Sequence, residues 1–145
     1  MSDENLKKFP LVLQEGFKKN NIDFCEGTEW NYDPIHVYRM ILREIDDYSE
    51  VTRADFVSFA EAPRRGMEGY VTRPDFYGVS VFTELNALVN KLKLPKPGKK
   101  IAQGHIRDCY GPIYRKLPHI CLWIYRDADF SDNDFKVSDY EKGVF

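Results

Sequence analysis

The most apolar run in the chain extends from His119 to Tyr125, and it restricts the folds that the sequence can adopt. It contains isoleucine, leucine, tryptophan and tyrosine but no charged residue. As an extended segment, it would be apolar on both sides. Such a strand needs cover on both faces, which the interior of a sheet provides. We therefore predict that His119 to Tyr125 form an interior strand.

Other segments are rich in β-branched and aromatic residues, which favour strands. They are His36–Ile41, Gly78–Phe82, Lys100–Ile106, a short strand after the turn Gly111–Ile113, and an edge strand at Phe135–Val137. Asp55–Phe59 has the composition of a short strand or a turn. Prolines and glycines predict a long surface loop over Ala60–Asp75, of the kind that often forms a lid or binding loop.

Two segments have the apolar spacing of helices. The first is Asn5–Asn20, in which Pro10 fits best in the first turn, so the helix should begin near Phe9. The second begins with Thr83 as its N-cap and carries an apolar stripe that ends at Leu92. The order of helices and strands lacks a regular alternation. It predicts one α+β domain over residues 1–145, with a mixed or mostly antiparallel sheet, an N-terminal helix and one helix after the second strand.

Composition narrows the functional classes. The 145 residues include 43% apolar and 30% charged residues, which is ordinary for a folded domain. A net charge of −2 argues against a nucleic-acid partner. No apolar run approaches the ~20 residues that span a bilayer, and the N-terminal residues lack the apolar core of a signal peptide. We expect a cytoplasmic protein without a membrane partner.

The cysteines and histidines give only weak candidates for chemistry. The three cysteines are an odd number without a CxxC pair, so we expect no disulfide framework. His105 with Cys109, and His119 with Cys121, are the candidate metal-ligand pairs, but their spacing matches no common zinc module, and no metal is expected. Cys109, in a polar turn, is also a candidate nucleophile.

A third group of residues lies on the predicted strands. Alternation places Arg39 between Val37 and Ile41 on one face of the first strand, where a charged side chain needs a partner. That partner is a carboxylate if Arg39 is structural, with Glu44, Asp46 and Asp75 as candidates. It is a ligand phosphate if Arg39 is functional, because arginine binds phosphate through two hydrogen bonds. Ser80 on the second strand and Gln103 on the third could line the same cleft, and aromatic side chains could stack on a flat ring.

This arrangement resembles the ADP-ribosyltransferase-like superfamily, in particular its compact RES-type NAD-consuming domains. The resemblance covers about Tyr38 to Ile106. It implies an NAD site with Arg39 (or His36) in the first position and Ser80 in the second. Gln103 stands near the third position, where the family usually has a glutamate, and a neutral amide cannot stabilise a cationic transition state as a carboxylate does. The candidate site is completed by residues that would contact the cofactor: His36, Tyr38, Tyr77 and Arg65.

Two classes of function follow from the sequence. The first is a nucleotide- or NAD-binding domain, with an ADP-ribosyltransferase-like or NAD-cleaving toxin or effector as its enzymatic form. The second is a small interaction protein without enzymatic activity, such as an immunity, antitoxin or anti-defence factor that blocks a partner, since tyrosine and arginine are favoured at interfaces. A concave pocket that holds Arg39, Ser80 and an acidic group would favour the first class.

Overall fold

One antiparallel sheet organises the chain. The structure is a computed structural model that describes residues 1–41, 50–92 and 100–137. Within these ranges the strand order is β4-β5-β2-β1-β3-β6, and every pairing is antiparallel. The strands are β1 Ile35–Ile41, β2 Val79–Phe82, β3 Lys100–Ile106, β4 Ile113–Lys116, β5 His119–Leu122 and β6 Lys136–Val137. The α+β prediction is confirmed, with an N-terminal helix and a helix after β2.

The apolar run that begins at His119 does form an interior strand, because β5 lies between β4 and β2. The strand is shorter than predicted and ends at Leu122. Burial continues at Trp123 and Ile124, which are 2% and 3% exposed. Here the main chain bonds to the segment before β4: the Trp123 N–H donates to the Pro112 carbonyl at 3.1 Å. Apolar composition therefore identified a buried segment correctly, but not where its strand pairing ends.

Three helices are described: α1 Asp3–Leu6, α2 Leu11–Lys19 and α3 Leu85–Leu92. The helix predicted to begin near Phe9 is α2, which begins at Leu11, with Pro10 as its extended N-cap residue rather than part of its first turn. The predicted segment Asn5–Asn20 is not one helix, because its first residues belong to the separate α1. A proline disfavours helical backbone at the preceding residue, which separates α1 from α2. α3 begins at Leu85, one residue later than an N-cap at Thr83 implies. The Thr83 N–H donates to the Pro118 carbonyl at 2.9 Å, so Thr83 continues the strand contact instead of capping the helix.

The predicted loop and edge segments agree with the structure in outline. The segment 60–75 contains the 3-10 helix Glu68–Tyr70 and the start of another, Pro74–Tyr77, but no strand. Asp55–Phe59 forms no strand, and a 3-10 helix covers Arg53–Asp55. β6 lies at the edge of the sheet, as predicted. None of the described helices is long and apolar enough to cross a membrane.

The two faces of the sheet have different cover. The face carrying Val37 packs mainly against irregular segments, and we call it the loop face; its buried strand residues are Val37, Ile41, Val79, Val81, Ala102, Ile106, Ile120 and Leu122. The opposite, helical face carries Cys121, which packs with α2, and Phe82 and Ile101, which pack with α3. Ser80 and His119 share this helical face, because they alternate with Val81 and Ile120.

The sheet divides between β1 and β2. β1 pairs with β3 along its whole length, from Ile35 opposite Ile106 to Ile41 opposite Lys100. In contrast, β1 registers with β2 only at Tyr38 opposite Phe82. The strands therefore separate on one side of that pair, beside Arg39 and Ser80. The separation is the feature that positions the candidate site.

Two glycines with positive φ provide a test of this packing. Gly111 has φ +148°, and a Cβ there would lie 1.8 Å from the Trp123 carbonyl oxygen; Gly66 has φ +87° and nothing within 4 Å of an added Cβ. We expect Gly66→Ala to lower the free energy of unfolding by about 1 kcal/mol, through backbone strain alone. Gly111→Ala should cost more than about 3 kcal/mol, because the main chain must also move. Chemical denaturation would measure both, and equal losses would contradict the close packing of Gly111 against Trp123.

Candidate binding groove

A groove of about 970 Å³ opens where β1 and β2 separate. Its lining combines strand residues with α3 and with the loop over 57–76. Arg39, Ser80 and His119 contribute from the sheet, and Asp75 contributes from the loop. The remaining side chains are mostly apolar, among them Phe59, Met67, Phe76, Phe82 and Leu88. The groove thus brings together the two residues that the sequence placed on neighbouring strands, and an acidic group.

Arg39 spans the gap between the separated strands. Its Nε donates to the Asp55 carbonyl at 2.8 Å, and its Nη1 donates to the Ser80 carbonyl at 2.7 Å. The guanidinium also lies 5.6 Å from the centre of the Phe56 ring. Burial lowers the pKa of Arg39 to about 10, and the nearby Asp55 carboxylate opposes this shift. Arg39 therefore remains charged at neutral pH, with two of its three nitrogens bound to main-chain carbonyls.

These partners differ from the ones considered from the sequence. Glu44 and Asp46 lie outside the described residues. Asp75 lines the groove, but the hydrogen bonds of Arg39 go to carbonyl oxygens. A charged donor to a buried carbonyl satisfies both groups. Arg39 thus joins β1, β2 and the 53–55 turn, which is a structural role whether or not a ligand also contacts the guanidinium.

Ser80 and His119 form a hydrogen-bonded pair in the groove, with His119 Nε2 2.9 Å from Ser80 Oγ. Ser80 is exposed and His119 is half-buried. The Phe82 ring packs edge-on against the imidazole at a centroid distance of 5.3 Å. Burial lowers the pKa of His119, while the Asp75 carboxylate acts in the opposite direction. The imidazole is therefore mainly neutral at pH 7.

Cationic side chains lie over aromatic rings at the groove. The guanidinium of Arg64 lies 5.4 Å from the Phe59 ring centre, and that of Arg73 lies 4.8 Å from the Tyr70 ring centre. All four residues line the groove, together with Lys91 from α3. Asp75 is the acidic residue among the described lining residues. The electrostatic character of the groove is therefore positive.

The other predicted site residues do not line the groove. Gln103 is opposite Tyr38 on the β1–β3 ladder, and His36 is opposite His105. Tyr77 is buried beneath α2, where its hydroxyl donates to the Val71 carbonyl at 2.6 Å. Arg65 is exposed in the loop. None of Gln103, His36, Tyr38, Tyr77 and Arg65 is among the described lining residues of the groove.

The candidate metal ligands also lie apart. His105 Nδ1 is 2.6 Å from Asp134 Oδ2, whereas His119 bonds to Ser80. Among the described residues, no group of three or more histidine, cysteine or acidic side chains could hold a metal ion. Cys109 lines a second, smaller cavity of about 380 Å³ together with Trp30 and Tyr125.

The sequence presents His119 as a candidate metal ligand and does not predict its contact with Ser80. The two residues are 39 positions apart, and they meet only because β2 pairs with β5. No local pattern encodes that pairing.

Comparison with known proteins adds no functional assignment: the chain matches no protein-family model, and the searches of curated proteins and of solved structures give no match.

The role of Arg39 in joining the strands can be tested by substitution. Arg39→Ala removes two charge-assisted hydrogen bonds and leaves the Asp55 and Ser80 carbonyls without this donor. We expect the free energy of unfolding to fall by about 3 kcal/mol. The control is Arg126→Ala, because Arg126 is exposed and lies 3.6 Å from Asp127; it should change stability by less than about 0.5 kcal/mol. A similarly small loss for Arg39→Ala would contradict the structural role.

The cysteine environments predict a pattern of thiol reactivity. All three thiols are free; Cys25 and Cys109 are exposed, whereas Cys121 is buried. Burial raises the pKa of the Cys121 thiol, so both access and thiolate formation are disfavoured there. We expect an aromatic disulfide reagent to modify Cys25 and Cys109 in the native protein, and Cys121 only after unfolding. Rapid native modification of all three thiols would show that β5 is not buried as described.

Proposed function

We propose that this protein binds a nucleotide, with NAD as the first ligand to test, in the groove between β1 and β2. The observation that carries the proposal is the presence of two arginine–aromatic pairs, Arg64 over Phe59 and Arg73 over Tyr70, in one groove. Arginine binds phosphate oxygens, and aromatic rings stack on flat bases. A nucleotide is a ligand that needs both kinds of contact.

The size and lining of the groove support this proposal. Its volume of about 970 Å³ is at the upper end of the ~300–1,000 Å³ typical of small-molecule sites. Apolar side chains such as Met67 and Phe76 would cover a ring, whereas Lys91 and the two loop arginines would attract phosphate groups. Asp75 and the exposed Ser80 provide acceptors for ribose hydroxyl groups.

NAD cleavage would be a further step. The resemblance to ADP-ribosyltransferase-like proteins implies a carboxylate beside the scissile bond, and Gln103 is not among the groove-lining residues. Asp75 is the acidic side chain in the described lining. A carboxylate stabilises positive charge that develops on the ribose. We therefore assign this role to Asp75 in any NAD-cleaving reaction. The release of nicotinamide from NAD would measure that reaction.

Isothermal titration calorimetry with NAD and ADP tests the binding proposal. Arg64→Ala and Arg73→Ala should each weaken binding about tenfold or more, because each removes a charge-assisted contact worth about 1.5–3 kcal/mol. Arg65→Ala is the matched control, since Arg65 is exposed in the same loop but does not line the groove. The proposal is wrong if neither nucleotide binds at millimolar concentration. It is also wrong if Arg65→Ala weakens binding as much as the two groove substitutions.

A protein-binding role is the second candidate, and one surface feature favours it. Leu11 and Val12 are 67% and 47% exposed at the start of α2. Adjacent exposed aliphatic residues are favourable sites for burial against a partner. As an immunity, antitoxin or anti-defence factor, the protein would use this part of α2, and Leu11→Asp would abolish partner binding without affecting nucleotide titration.

A further inference from the structure

We propose that Ser80 and His119 form a nucleophile–base pair that cleaves carboxylic esters or thioesters in the groove. This activity goes beyond nucleotide binding, and it does not depend on the identity of the nucleotide. The reacting group would be a carbonyl carbon that enters beside Ser80 Oγ.

The strand register explains why the two side chains meet. β2 and β5 pair with Ser80 opposite Cys121 and Phe82 opposite His119. Ser80 and His119 are thus diagonal neighbours on the same face, two residues apart in register. The distance of 2.9 Å between Nε2 and Oγ permits direct proton transfer. Both residues come from strands rather than loops, so their relative position is fixed by the ladder.

Other contacts hold the pair in place. Arg39 binds the carbonyl of Ser80, which restrains the main chain beside the nucleophile. The Phe82 ring packs against the imidazole of His119 and limits its rotation. Ser80 remains exposed, and both residues line the groove, so a substrate has access. The hydrogen bond between nucleophile and base, in a site that a substrate can reach, is the first geometric requirement for covalent catalysis.

The surroundings of His119 suit a general base. Charged groups from three elements act on it: Asp75 from the loop, Lys91 from α3 and Lys116 from β4. Burial favours the neutral imidazole, which is the form that accepts a proton. Once His119 becomes protonated, the Asp75 carboxylate stabilises the positive charge. Asp75 therefore has the role of a charge-stabilising residue.

The reaction balances with an ester and water alone. Ser80 Oγ forms a bond to the carbonyl carbon while its proton passes to His119 Nε2. The bond to the leaving alcohol or thiol then breaks, and the leaving group takes that proton. Water next attacks the acyl-serine, again losing a proton to His119, and the carboxylic acid leaves as Ser80 recovers its hydrogen. The apolar side chains Phe82 and Leu88 in the lining favour an apolar acyl group.

A fluorophosphonate probe tests the pair directly, because an activated serine displaces fluoride and forms a stable phosphonyl ester. Intact-mass and peptide analysis should locate one adduct on Ser80 in the wild-type protein. Ser80→Ala should lose this adduct, and His119→Gln should form it at least about 100-fold more slowly, the usual effect of removing a general base. Ser131→Ala is the control, since Ser131 is exposed but does not line the groove; it should react like the wild type. Hydrolysis of p-nitrophenyl butyrate should follow the same order.

A pH profile of the wild-type labelling rate supplies a test that needs no variant. The pKa of His119 lies below its usual 6.5, so the rate should be at its plateau at pH 7 and fall as the pH drops below that pKa. The absence of an adduct on Ser80 would overturn the proposal, as would a rate that is unchanged in His119→Gln or independent of pH down to 4. Nucleotide titration of the wild-type protein is a separate measurement from serine labelling, so failure of the dyad and failure of nucleotide binding are distinguishable.

Discussion

The bridge from the Arg39 guanidinium to two main-chain carbonyls is the interaction on which the groove depends. β1 follows β3 along its whole length but registers with β2 only at Tyr38 and Phe82. Separated strands leave polar main-chain groups that need partners. Arg39 supplies donors to Ser80 and Asp55, so the sheet remains joined while a cavity opens beside it. The energetic penalty of burying a cation is offset because each engaged nitrogen donates to a carbonyl.

Properties encoded within one segment were predictable from the sequence. The apolar run at His119 identified an interior strand, and the charge of Arg39 among aliphatic residues correctly implied a partner. The errors arose where distant groups compete with local preference. Thr83 is a good N-cap by type, but it donates to Pro118 instead. The partners of Arg39 are main-chain oxygens, which residue identities do not reveal. The Ser80–His119 contact follows from the pairing of β2 with β5, which no spacing within the chain indicates.

The same separation of strands gives the groove its chemical character. Loop residues line the groove together with the sheet and α3, and among them Arg64 and Arg73 lie over aromatic rings. The separation also leaves Ser80 exposed beside a half-buried His119. A positive rim, an apolar interior and a serine–imidazole pair thus occupy one site. The nucleotide-binding proposal is carried by the two arginine–aromatic pairs, whereas the ester-cleavage proposal is carried by the contact between Ser80 and His119, so the two are tested by different substitutions.

Whether Arg39 spans the separated strands is tested most directly by NMR of its Nε–H group in ¹⁵N-labelled protein, assigned by its loss in Arg39→Lys. An Nε–H that donates to the Asp55 carbonyl is shielded from water. The expected result is a resolved resonance that exchanges with solvent far more slowly than those of the exposed Arg65 and Arg126. An Arg39 signal that overlaps these and exchanges equally fast would contradict the bridge, and with it the explanation of how the groove is formed.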